Sequence, residues 1–264
     1  MTQTSNKRES VTILGVPFDK VSLCQAVSCI EAMAASGRPH YVVTPNMDFL
    51  AQAQGDKELR SVLAGADLSV CDGTPLVWAS RILGCPLPER VAGSDLVPAL
   101  LEAADREGLS VYFLGASVEA SAEAVSRVRR RHPSLGIAGR YSPPFRDLTA
   151  EDNEEIKRRI REAKPDLVLV AFGCPKAEKW MAENYREIGA PVMIGVGATI
   201  DFLAGRVRRA PRWMGRAGVE WLYRLAQEPR RLWRRYARDL WVLIWHVSTE
   251  LFSRPRGRSS AGTA

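Results

Sequence analysis

The chain has 264 residues, 46% of them hydrophobic and 25% charged, which is enough to bury one large α/β core with or without an appendage. Its five cysteines form no C-x-x-C pair and its three histidines are scattered, so a disulfide framework or a zinc cluster is not expected, and a reducing compartment is. The formal charge is +7, yet residues 206–238 alone hold eleven Arg against Glu220 and Glu228, a local +9, which leaves residues 1–205 at about −3.

Residues 1–10 are polar and lack the apolar stretch of a signal peptide, so they read as a disordered lead into a cytoplasmic protein. From there, short apolar runs alternate with segments of helical period. The predicted strands are Val11 to Val16, Tyr41 to Thr44, Leu68 to Val70, Val111 to Leu114, Ile137 to Gly139, Leu167 to Phe172 and Val192 to Val196. The predicted helices are Ser22 to Ser36, Asp56 to Ala64, Pro75 to Leu83, Asp95 to Glu107, Val118 to Arg131, Ala150 to Ala163 and Lys176 to Ile188. Thr149 with Asp152 marks a helix start, a hydroxyl cap followed by an early acid. The alternation predicts a Rossmann-like, mostly parallel sheet flanked by helices over residues 11–205. Beyond Gly205 the pattern changes to a basic, aromatic helical appendage over 206–252, with helices near 218–227 and 229–252, and a disordered tail over 253–264.

In an open α/β sheet, ligands bind beyond the carboxyl ends of the strands. Thr44, Asp72, Gly115, Gly173 and Gly197 fall at that edge. Gly115-Ala116-Ser117 suits a strand-to-helix turn that holds a phosphate, and equally a tight turn that needs a small residue. No G-x-G-x-x-G follows a strand, and Gly195-Val196-Gly197 lacks the third glycine, so neither a dinucleotide fingerprint nor a P-loop is present. Asp72 is placed to act as a general base. With Thr74-Pro75 following, the residues alone favour a turn former or helix cap over that role. Asp201 carries the same ambiguity.

No D-x-D sequence is available to hold a metal on a diphosphate, so if the ligand is a nucleotide sugar, arginines must supply the countercharge. Trp213, Trp221, Tyr223, Trp233, Tyr236, Trp241 and Trp245 are interleaved with the arginines, a mixture suited to a membrane interface or to packing on the core or another subunit. Nucleic acid is the less favoured partner for this segment.

Several ordered segments resemble the WecG/TagA/CpsF glycosyltransferases. They are Thr44-Pro45-Asn46, Asp72-Gly73-Thr74-Pro75, Glu89-Arg90-Val91-Ala92-Gly93-Ser94-Asp95, Phe113-Leu114-Gly115, Phe172-Gly173-Cys174-Pro175-Lys176, Gly195-Val196-Gly197, Asp201 to Gly205, Arg209-Ala210-Pro211, and Glu220 to Leu225 with Glu228-Pro229-Arg230. The resemblance implies a metal- and cofactor-independent, inverting transfer from a UDP-sugar to a polyprenyl-diphosphate-linked sugar at the cytoplasmic membrane face. It puts Asp72 in the place of the catalytic base and Thr44, Asn46 and Arg90 in the pocket. Gly115, Gly173, Lys176, Glu178, Gly197 and Asp201 join them on the substrate-binding edge, and Arg224, Arg231 and Arg234 stand on an appendage that closes over it. Ala177 replaces the family's Gln, and Arg140 to Phe145 replaces a glycine-rich turn, so the donor hexose is left open among N-acetylmannosamine, its uronate and glucose. A homo-oligomer is compatible with this reading. The rival from another class is a noncatalytic, membrane-recruited protein that binds a nucleotide sugar, which predicts Asp72 buried and bonded away from any pocket.

Overall fold

A computed structural model describes residues 8–207, 210–211, 214, 219–227 and 229–253. Most of the expected tail and most of the expected lead lie outside them; Ser253, expected in the tail, ends the last helix. A short antiparallel hairpin, β1 (Ser10–Ile13) and β2 (Val16–Asp19), precedes a six-stranded parallel sheet. The sheet strands are β3 (His40–Val43), β4 (Leu68–Ser69), β5 (Ser110–Gly115), β6 (Gly136–Tyr141), β7 (Leu167–Ala171) and β8 (Val192–Gly195), in the order β4-β3-β8-β7-β5-β6. The helices before the appendage are α1 (Leu23–Ala34), α2 (Met47–Gly55), α3 (Lys57–Ala64), α4 (Thr74–Ile82), α5 (Gly93–Glu107), α6 (Val118–Arg131), α7 (Ala150–Ala163), α8 (Lys176–Ile188) and α9 (Thr199–Leu203). Two appendage helices follow, α10 (Glu220–Gln227) and α11 (Pro229–Ser253).

The sheet is buried on both faces, and the period of two decides which face each side chain serves. Tyr112, Leu114, Val168, Val170 and Met193 join one core with Leu59, Leu63, Ile156, Trp180 and Met181 from α3, α7 and α8. Their alternates Val111, Phe113, Leu167, Leu169, Val192 and Ile194 join the other, with Ile30, Leu96, Leu100, Ala120 and Ala124 from α1, α5 and α6. Local signals agree with this packing. Ser22 and Thr149 each close a capping box, with Gln25 and Asp152 respectively.

Four elements differ from the sequence reading. The run Val11 to Val16 is two strands, because Leu14 and Gly15 both take positive φ, 52° and 79°, and reverse the chain. Two helices, α2 and α9, were not expected, and α5 begins at Gly93 instead of Asp95.

Candidate active site

The order of the strands creates a crevice. From β5 the chain leaves toward β6 on one side, whereas from β7 it leads to β8 on the other, so the loops after these neighbouring strands diverge. Gly115 sits at the root of that divergence with φ +99°, and a Cβ there would stand 2.5 Å from the Ala171 carbonyl oxygen. Only glycine fits both the backbone and the space. Ser117 then caps α6 through the Ala120 amide at 3.1 Å. A loop closes the outer side of the crevice. The Ser142 hydroxyl donates to the Gly115 carbonyl at 3.2 Å, and Lys176 Nζ donates to the Arg146 carbonyl at 2.6 Å. Lys176 is thereby committed to the loop. Gly173 and Gly197 lie past the ends of β7 and β8, both at positive φ, and Asp201 lies in the first turn of α9.

The second half of the edge is built around β3, β4 and β8. Thr44 is buried and donates to the Gly195 carbonyl at 3.0 Å, joining the ends of β3 and β8. Asn46 caps α2, its side-chain oxygen accepting from the Asp48 amide at 3.0 Å. Asp72 is held by its own amide, which donates to the Pro45 carbonyl at 3.0 Å, and it is partly exposed. The N-cap of α4 is Gly73, one residue later, so Asp72 does not fill the cap position. The Val91 amide donates to the Cys71 carbonyl at 2.8 Å, which brings Arg90 alongside the same strand end.

Arg90 is the electrostatic centre of this half. One guanidinium nitrogen is 2.9 Å from Asp95, at the start of α5, and the other is 2.7 Å from Glu220, at the start of α10. Burial works against the Arg90 charge, but Glu220, Asp72 and Asp95 together outweigh it and raise the pKa. Burial, assisted by the neighbouring Asp72 charge, pushes the Cys71 thiol up to about 12 and leaves it inert at neutral pH.

Glu178 lies beneath the edge, 2% exposed, its Oε1 packed so closely on Gly195 that a Cβ there would be 2.9 Å away. Its Oε2 has no hydrogen-bond partner, and burial raises its pKa to about 7. Ala177 beside it is in the core at 1% exposure, a position with no outlet to the crevice.

The appendage covers this edge of its own chain. Leu232 and Leu243 of α11 are buried, and α11 runs along α2. The contact is latched by charge. Arg238 approaches Asp48 at 2.6 Å and Arg235 approaches it at 3.2 Å, while Asp239, 4% exposed, accepts from Arg238 at 3.0 Å. Sequence reasoning did not select Asp48, Asp95, Glu220, Arg235 or Arg238. The only local signal was an acid two residues after a helix-capping Asn. Of the arginines expected to serve the site, Arg234 is exposed and lies over the Trp233 ring at 5.4 Å. Arg224 and Arg231 stand on α10 and α11, and their side chains lie outside the described residues. The opposite side of α11 presents Trp233, Leu240, Trp241, Ile244 and Trp245 to solvent at helical spacing. Among the described residues, no helix is long and apolar enough to cross a membrane.

A family model described as "Glycosyl transferase WecG/TagA/CpsF family" matches residues 11–257. The chain belongs to the WecG/TagA/CpsF glycosyltransferase family. Among its relatives is a protein of Bacillus spizizenii named N-acetylglucosaminyldiphosphoundecaprenol N-acetyl-beta-D-mannosaminyltransferase, 35% identical over 74% of this chain and 74% of its own. A Staphylococcus aureus protein of the same name is 31% identical over 85% of this chain and 87% of its own. The WecG/TagA/CpsF match spans both the parallel-sheet core and the arginine-rich appendage, so the residues that meet at Arg90 all lie within it.

Proposed function

We propose that this glycosyltransferase moves a hexose from a UDP-sugar onto a polyprenyl-diphosphate-linked sugar, with Asp72 as the base. The observation that carries the reading is the meeting of Asp72, Arg90 and the first turn of the appendage at one strand end. Asp72 takes the proton from the acceptor hydroxyl, the oxygen bonds to the anomeric carbon, and the bond from that carbon to the UDP oxygen breaks on the opposite face, inverting the centre. The departing diphosphate carries the new charge. The β5/β7 crevice, with the α6 amides behind Gly115, is the place for the donor phosphates. The net positive charge of the appendage, to which Arg224, Arg231 and Arg234 belong, offsets the diphosphate charge without requiring a metal. Thr44 and Asn46 shape the pocket floor, and the buried Glu178 supports them from below.

The names of the relatives favour N-acetylmannosamine as donor sugar and a diphosphate-linked N-acetylglucosamine as acceptor. The 206–252 region both closes the site and, through the outward aromatic face of α11, rests on the cytoplasmic surface of the membrane. A noncatalytic reading requires a sequestered Asp72, and Asp72 is partly exposed. The experiment is UDP release from a panel of UDP-sugars, with and without the lipid-diphosphate acceptor, in detergent containing EDTA. Acceptor-dependent release from one donor is the expected result. Release that requires an added divalent metal would refute the metal-free mechanism.

A further inference from the structure

Beside Asp72 there is a second apolar surface, which the appendage does not explain. Helix α4 starts two residues after Asp72 and buries Leu76, Val77, Ala79 and Ser80. Its outward side carries Trp78 and Ile82, 44% and 59% exposed. Arg81, also exposed, lies on the same side, since positions 78, 81 and 82 are related by three and four residues. The Arg81 guanidinium makes no hydrogen bond or ion pair among the described residues. Single exposed apolar residues are commonplace. A tryptophan and an isoleucine one turn apart, around an uncommitted cation and leading directly from the candidate base, form a composite surface.

We propose that the Trp78, Arg81 and Ile82 face of α4 receives the prenyl diphosphate end of the acceptor, Arg81 meeting a phosphate and the two apolar side chains the first isoprene units. The inference rests on the acceptor named in the proposed function. The span of the helix suits this acceptor. The reacting hydroxyl lies at Asp72, and one sugar ring and two phosphates separate it from the hydrocarbon chain. Helix α4 leads away from Asp72 and rises about 12 Å between Thr74 and Ile82, so its cation and apolar groups stand within that separation. On the other flank, Glu220 is fastened to Arg90, and the adjacent Trp221 and Leu222 are 37% and 43% exposed. Asp72 therefore sits between two apolar borders, and a ligand with an anionic head and a hydrocarbon tail matches the charge and polarity of the α4 border.

The test uses the full chain, the W78S/I82S double variant and R81Q. Two acceptors carry the same diphosphate-linked sugar, one on a long polyprenyl chain in detergent micelles, the other on a short water-soluble alkyl chain. The double variant is expected to raise KM for the long acceptor roughly tenfold while leaving that for the short one within twofold. R81Q is expected to raise KM for both. Binding to phosphatidylglycerol vesicles without acceptor should stay unchanged in all three proteins. Equal KM changes of the double variant on the two acceptors, or none, overturn the proposal. So does lost vesicle binding without any change in chain-length preference, because it assigns this face to the bilayer. A wild-type protein that uses neither acceptor overturns the acceptor reading itself, and the proposal with it.

Discussion

Replacing Glu178 with Gln is expected to stabilise the protein above neutral pH and to do little in mild acid. The carboxyl is 2% exposed, its Oε2 is unpartnered, and burial raises its pKa from the usual 4.5 to about 7. Between those two values the unfolded chain has released the proton and the folded protein still holds it. Unfolding therefore releases a proton, and stability falls as pH rises through this window. Below 4.5 both states are protonated and the penalty vanishes; above 7 both are ionised and it is complete. A displacement from 4.5 to about 7 corresponds to a penalty on the order of 3 kcal/mol at pH 8. The isosteric amide cannot ionise, so its pH profile lacks this component. The assay is urea unfolding of wild type and E178Q at pH 4.5, 6, 7 and 8, followed by tryptophan fluorescence. The stability difference should grow with pH in favour of E178Q and level off above 7. A difference that is constant across the series would refute the argument, because it would place the wild-type carboxyl in an ordinary, solvated titration.

Asp72→Asn should lower kcat about a thousandfold while leaving UDP-sugar binding by calorimetry nearly unchanged, and retained turnover would exclude Asp72 as the base. Gly115→Ala should cost about 3 kcal/mol or more in chemical denaturation, since the new methyl meets the Ala171 carbonyl oxygen at 2.5 Å on a backbone of φ +99°. Asp48→Asn should weaken the latch on Arg235 and Arg238 by about 1–2 kcal/mol and speed tryptic cleavage within α11, measured by mass spectrometry; an unchanged cleavage pattern would show that the apolar contacts of Leu232 and Leu243 hold the appendage alone.

The parallel core was legible because its strands are buried on both sides and separated by helices of clear period, as with Leu167 to Phe172 followed by Lys176 to Ile188. Helix α2 was not. It buries Asp48, Phe49, Leu50 and Ala53, a broad surface in place of one stripe, because α11 covers the side that would otherwise face solvent. The hairpin was hidden for a different reason. A Leu at positive φ gives no turn signal, and the apolar run continues through it. At the candidate site, strand ends located Thr44, Asp72, Gly115, Gly173 and Gly197 directly. Partners such as Asp48 with Arg238, 190 residues apart, carry no local pattern, and their pairing emerges only once the appendage is docked.

Arg90 divides its two guanidinium nitrogens between Asp95 of the core and Glu220 of the appendage, with Asp72 in the same field. Raising the appendage would withdraw one of the two carboxylates that offset this cation and leave a largely buried guanidinium with one fewer acidic partner. The seat of the appendage and the charge balance beside Asp72 are thus coupled across a single side chain.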